Sequence, residues 1–202
     1  MARPPDPDLE DRILEAARKI CKKGGEQALS MRAVARAART NTPAVYRRFH
    51  SRNDILRALL LRSRDEVFQR LRTALSVEEA CEGYLDFALS NPSEYQLYFL
   101  HEHELFFSAG PKRGATLNQT VKQKRPVVEF MKGKLAAQLG GEPDDYTSLT
   151  FALWSLLHGT ATLLIAKTVH PEHAEEMRQA CRASIQTLLC EARRQVNEAR
   201  PG

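Results

Sequence analysis

Apolar residues recur along the chain at intervals of three and four. No segment alternates with period two for long enough to make a strand, so the pattern predicts an all-α protein of about nine helices. Leu9, Ile13, Ala16, Ala17 and Ile20 form the stripe of a first helix. Asp8 is its expected cap, and Lys22-Lys23-Gly24-Gly25 brings cations to the helix C-terminus and then a glycine stop. Ser30 is placed to cap a second helix that faces inward through Met31, Val34, Ala35 and Ala38. The pattern breaks at Arg39-Thr40-Asn41 and resumes in a short third helix, with Thr42 the expected N-cap, Pro43 the first helical residue, and Val45 and Phe49 inward.

Longer helices follow. Ser51-Arg52-Asn53-Asp54 has the form of a capping box for a fourth, with the stripe Leu56, Leu60, Val67 and Leu71. Ser76 with Glu79 opens a fifth, with Val77, Ala80, Cys81, Tyr84 and Ala88 inward, and Asn91-Pro92-Ser93-Glu94 divides it from an aromatic-rich sixth. Residues 108–114 read as a loop, and a seventh helix, kinked or restarted at Pro126, ends near Leu139 at Gly140-Gly141. The eighth, 144–169, is apolar almost all round, which predicts burial on more than one side. After His170-Pro171 a ninth carries Ala174, Met177, Cys181, Ser184, Ile185 and Leu188.

At 202 residues, 43% apolar and 27% charged, the chain is long enough to bury a core and fits neither a disordered nor a fibrous protein. The net charge of +5 is unevenly spread: +8 over residues 1–72 and −3 over the remainder, so one end is suited to a polyanion. Cys21, Cys81, Cys181 and Cys190 lack the spacing of a metal site or disulfide framework, and the N-terminus has no apolar secretion segment, so a cytoplasmic location is expected. Polar residues interrupt the apolar stretch from Leu149 to Ala166, which favours a buried helix over a membrane span. In His101-Glu102-His103-Glu104 the two histidines, two apart on a helix, point apart, so no metal is expected. With no phosphate loop, nucleophile elbow or HExxH, neither catalysis nor a cofactor is expected.

Two short helices joined by a tight turn, buried on one side and arginine-bearing on the other, make a helix-turn-helix. Ser30-Met31-Arg32-Ala33-Val34-Ala35-Arg36-Ala37-Ala38 followed by Thr42-Pro43-Ala44-Val45-Tyr46-Arg47-Arg48-Phe49-His50-Ser51-Arg52 resembles the DNA-binding segment of the tetracycline-repressor (TetR) family. Tyr46-x-x-Phe49 with Ser51 and a basic residue is its most specific part. Pro92-Ser93-Glu94-Tyr95-Gln96-Leu97-Tyr98-Phe99 and Trp154-Ser155-Leu156-Leu157-His158-Gly159 resemble the C-terminal domain of a subgroup named for its Trp, His and Gly. There are departures. Arg39 stands where the family usually has the turn glycine, either altering the turn or adding a phosphate contact. Thr40 replaces a small apolar residue, and Arg52 replaces a lysine.

The resemblance implies a dimeric, ligand-responsive transcriptional repressor that binds a palindromic double-stranded operator, and the all-round apolar helix 8, together with helix 9, suits the two-fold interface. A protein of the same fold with an architectural role and no inducer is the alternative. Residues 1–8 would be a disordered arm, 9–55 the DNA-binding domain and 56–197 the ligand-binding and dimerisation domain. Thr42, Pro43, Ala44 and Arg47 would face base edges or nearby phosphates; Ser30, Asn41, Tyr46 and Arg52 would hold phosphates. For Arg32, Arg36 and Arg48 a solvated face and DNA contact stand even. Tyr84, Phe87, Tyr95, Tyr98, Phe99, Phe130 and Trp154 either line a small-molecule cavity or fill the core, and His158 is either a polar anchor or an interface histidine.

Overall fold

A computed structural model of the chain describes residues 7–107 and 126–198, with side chains outside 100–126, and every regular element among them is helical. The α-helices are α1 (Leu9–Gly24), α2 (Met31–Ala37), α3 (Thr42–Tyr46), α4 (Arg52–Thr73), α5 (Val77–Ser90), α6 (Pro92–Phe107), α7 (Pro126–Leu139), α8 (Thr147–Ile165) and α9 (Ala174–Glu198). Short 3-10 turns at Glu26–Ala28, Pro143–Tyr146 and Pro171–His173 join them. The start of the expected arm, the loop at 108–114, the stretch before Pro126 and the side chains of His101 and His103 lie outside the description.

The caps follow local chemistry. Ser30 Oγ accepts from Ala33 N at 3.2 Å, as expected. Ser51 Oγ accepts from Asp54 N at 3.1 Å while Ser51 N donates to Asp54 Oδ2 at 3.0 Å, a complete capping box. Asp8 takes the N-cap position of α1 with its backbone carbonyl, and its side chain makes no cap bond. The cap of α3 is Asn41, not Thr42: its extended backbone turns Oδ1 onto Ala44 N at 2.8 Å, which moves Thr42 into the first helical position. At the start of α5, Ser76 Oγ accepts from Glu79 N, and Glu79 Oε2 reaches back to Leu75 N at 2.6 Å.

Two compact units result: residues 7–66 with 91–107, and 67–90 with 126–198. The division falls inside α4 rather than at 55/56, and it places α6 with α1, α2 and α3. In the first unit Ile13, Ala17, Val34, Val45, Ile55 and Leu59 form a closed core that Leu97 of α6 joins. A polar cluster adds to it. Arg18 of α1 donates to Glu94 Oε1 of α6 at 2.6 Å and to both oxygens of Glu66 of α4 at 3.2 and 2.9 Å; Ser63 Oγ donates to Glu94 Oε2 at 3.0 Å. Glu94 is only 6% exposed, and its burial is possible because both carboxylate oxygens have donors.

In the second unit α5 packs against α7, α8 and α9. Val77, Cys81, Leu85, Leu135, Leu153, Leu157, Cys181 and Ile185 of these helices are all buried, and burial pushes the Cys81 thiol up to about 12. Gln138 Oε1 accepts from Val77 N at 2.7 Å, and Arg182 holds both oxygens of Glu82 at 2.6 and 3.0 Å. The buried ridge of α9 is Cys181, Ile185 and Leu189, with Ser184 turned to solvent, against the expected stripe. The eighth helix is shorter than expected because Pro143 leads a 3-10 turn before it. It is also buried along one face only, through Thr150, Leu153, Leu157, Thr160 and Ala161. Including that turn, Pro143–Ile165 is long and apolar enough to cross a membrane by length and composition alone.

Candidate nucleic-acid interface

Between Glu26 and Asp54 the sequence holds six arginines and no acidic residue. Outside this stretch Arg18, Arg62, Arg64, Arg178, Arg182 and Arg194 pair with carboxylates. In the helix-turn-helix the guanidinium groups of the exposed Arg32, Arg36, Arg39 and Arg47 make no hydrogen bond or ion pair among the described residues. Cations kept apart from internal anions leave a positive surface for an external one.

The core beneath α2 and α3 sets which side chains that surface presents. Val34, Ala35 and Ala38 of the α2 segment and Val45 and Phe49 of the α3 segment are buried. Tyr46, by contrast, is 49% exposed, and Pro43, Arg47 and Arg48 are exposed. Ser30 and Asn41 each use a side-chain oxygen for a cap, which leaves a hydroxyl proton and an NH2 group to donate outward.

The structure bears on two of the expected contact residues. Ala44 is 4% exposed, its methyl packed inward, and has almost no surface to offer a thymine methyl. Arg52 is committed internally: Nε donates to Leu29 O at 3.0 Å, and Nη2 donates to Glu26 O at 2.8 Å and Glu26 Oε1 at 2.7 Å. It clamps the 3-10 turn between α1 and α2, so the family position of a basic residue is filled by a structural tie. The sequence signal for it was Glu26, the last acid before the arginine-rich stretch.

The turn between α2 and α3 keeps glycine geometry without glycine. Arg39 has φ 53°, Arg39 N donates to Arg36 O at 3.2 Å and Thr40 N donates to Ala35 O at 2.9 Å, the two bonds of a Schellman motif. From α1, Arg12 Nε lies 3.4 Å from Ala38 O at the same helix end.

The aromatic residues singled out in the sequence are divided between the two units. In the first unit Tyr95 and Tyr98 flank Phe99 at 4.7 and 5.3 Å between ring centroids, and Tyr98 packs on the core. In the second, Phe130 meets Phe68 edge-on at 5.3 Å, Phe87 is buried with Arg70 over its ring, Tyr84 is half-buried, and Trp154 lies 6.1 Å from His158. Burial of the His158 imidazole lowers its pKa and favours the neutral ring.

Residues 13–59 match the family of bacterial regulatory proteins of the tetR type, and residues 77–188 match the tetracyclin repressor-like C-terminal domain. The uncharacterized HTH-type transcriptional regulator YobS of Bacillus subtilis (strain 168) is 25% identical over 186 residues, 88% of each chain. Among solved structures, SCO4313, a candidate regulatory protein, aligns with a TM-score of 0.69 at 20% identity over 90% of this chain and 95% of its own. A TetR variant from Acinetobacter baumannii AYE in complex with minocycline aligns at 0.58 and 16% identity over 92% and 97%. Those two likenesses speak for the fold. With a DNA-reading segment and a C-terminal body that each match their own part of one family, the chain belongs to the TetR family of transcriptional regulators and is not an enzyme.

Proposed function

We propose that the chain is a cytoplasmic repressor that binds a palindromic operator as a homodimer and leaves it when a small molecule binds the C-terminal unit. The observation that carries the DNA half is the set of exposed guanidinium groups of Arg32, Arg36, Arg39 and Arg47, which have no hydrogen bond or ion pair among the described residues, around Asn41-capped α3. In this reading Thr42, Pro43 and Arg47 meet base edges or nearby phosphates, while Ser30, Asn41 and Tyr46 hold phosphates and fix the docking. Arg47→Ala is expected to lower affinity and relax preference for a selected duplex, whereas Tyr46→Phe weakens all duplexes alike. Fluorescence anisotropy on selected and scrambled duplexes separates them, and unchanged binding by both variants overturns the assignment.

The dimer is assigned to the uncovered side of α8 and the neighbouring side of α9. Phe151 and Leu163 are 43% and 42% exposed there, with Ala152, Ser155 and Gly159 between them, an apolar strip that a second copy would cover. A two-fold pair also gives a short reader its two half-sites. For the effector, support comes from the fold and from the neighbour solved with minocycline; the half-buried aromatics of the second unit are the proposed lining. A thermal-shift screen of small molecules, followed by release of the selected duplex, tests this step. Stabilisation with no effect on DNA binding would leave the protein an architectural DNA binder.

A further inference from the structure

Arg39 occupies a backbone position for which an arginine is a poor choice. At φ 53° its Cβ crowds the following carbonyl, a conflict that glycine avoids and asparagine tolerates better. The bonds Arg39 N to Arg36 O and Thr40 N to Ala35 O place it at the residue just past the helix C-cap, where glycine is the usual occupant of a Schellman motif. The turn therefore needs nothing that the arginine side chain supplies. That side chain is exposed, and its guanidinium has no hydrogen bond or ion pair among the described residues.

A second site in the same chain separates the possible reasons. Lys167, past the end of α8, has φ 54°, with Lys167 N to Leu164 O and Thr168 N to Leu163 O, both 3.2 Å, making the same two bonds. Each helix thus ends in a left-handed cation, and the interaction of that charge with the helix dipole is common to both. Arg39 differs by its place. It joins α2, which in a helix-turn-helix crosses the DNA backbone, to α3, whose N-terminus enters the major groove, and it lies two residues before the Asn41 cap.

We infer that Arg39 holds a DNA backbone phosphate, one per protomer, contributing affinity without sequence preference. This rests on the DNA-binding reading and adds to it a contact made by the turn itself. A guanidinium with five donors and no internal anion suits phosphate, and the two turn bonds fix the backbone from which it extends.

The test compares Arg39→Gly, Arg39→Asn, Arg39→Lys and Lys167→Gly on a duplex selected by the wild-type protein from a random pool and on its scrambled counterpart, across a salt series. Both glycine variants relieve the same backbone conflict and remove one charge, so both should fold and gain thermal stability. Only the Arg39→Gly and Arg39→Asn variants should flatten the log affinity against log salt plot, by about 0.9 per protomer, and equally for both duplexes. Arg39→Lys should retain the wild-type slope. A slope unchanged in Arg39→Gly, or changed as much in Lys167→Gly, overturns the inference, as does a loss confined to the selected duplex, the mark of a base contact. If the wild type enriches and binds no duplex, the DNA reading falls and this contact with it; if it binds and Arg39→Gly matches it, the contact alone falls.

Discussion

The guanidinium of Arg52 is surrounded by oxygens of its own chain, Leu29 O, Glu26 O and Glu26 Oε1, so truncating it should act on the fold. Arg52→Ala is expected to cost about 1–3 kcal/mol of stability, the range for charge-assisted bonds lost from a partly buried site, while the salt slope of DNA binding by the folded protein stays put. Urea unfolding and a salt series check the two halves separately; a flatter slope at full stability would return Arg52 to the phosphate contacts. His158 sets a pH dependence. Burial lowers its pKa below the usual 6.5, so the unfolded chain takes up a proton at higher pH than the folded one does. Its contribution to stability is therefore present above about pH 6.5 and lost as pH falls toward the lowered value. His158→Gln should flatten the decline in Tm between pH 7 and about 5. An equally steep decline would place the acid sensitivity elsewhere. Such assignments were half legible: motif position marks Arg52 as basic and useful, but whether its partner is phosphate or Glu26 depends on a fold that brings residues 26 apart into contact.

Among elements, α6 is held to the first unit by the apolar contact of Leu97 and by one buried carboxylate. Glu94→Ala would leave Arg18, a quarter exposed, with Glu66 alone and Ser63 without its acceptor; about 1–3 kcal/mol is expected after allowing for solvent at Arg18. A double-mutant cycle with Ser63→Ala should show coupling between the two positions, measured by chemical denaturation, and strict additivity would mean the bonds carry no shared stability. The existence and type of the helices were readable because each apolar stripe runs with a helical period and the capping boxes at Ser51 and Ser76 are local. What was not readable came from choices between neighbours or from distance. Asn41 and Thr42 both carry a cap acceptor, and the extended backbone at Asn41 decides between them. The allegiance of α6 is decided by Leu97 and Glu94 meeting α1 and α4, contacts that no periodicity encodes. For α8, an apolar circumference shows that more than one side needs covering, but only the structure shows which side its own unit covers.

At the scale of the molecule, the open strip on α8 gives the sharpest test of assembly. A Cβ added at Gly159 meets nothing within 4 Å, so Gly159→Glu should leave each protomer folded while setting a carboxylate into the proposed two-fold contact. Monomers in sedimentation, with near-native helicity and only weak, salt-sensitive binding to a palindromic duplex, are expected; a dimer with wild-type affinity would move the interface elsewhere. The division of the chain has another consequence. Because the first unit is assembled from 7–66 and 91–107, with the chain leaving it within α4 and returning at α6, the reader is not a portable cassette. A chimera that transplants only residues 9–55 would carry Arg18 without Glu66, Ser63 or Glu94, and a core without Leu97. Exchange of DNA specificity between such regulators, in the laboratory or by recombination, is then easiest at the exposed residues of α2 and α3, and hardest at the seam that a linear reading of the sequence would choose to cut.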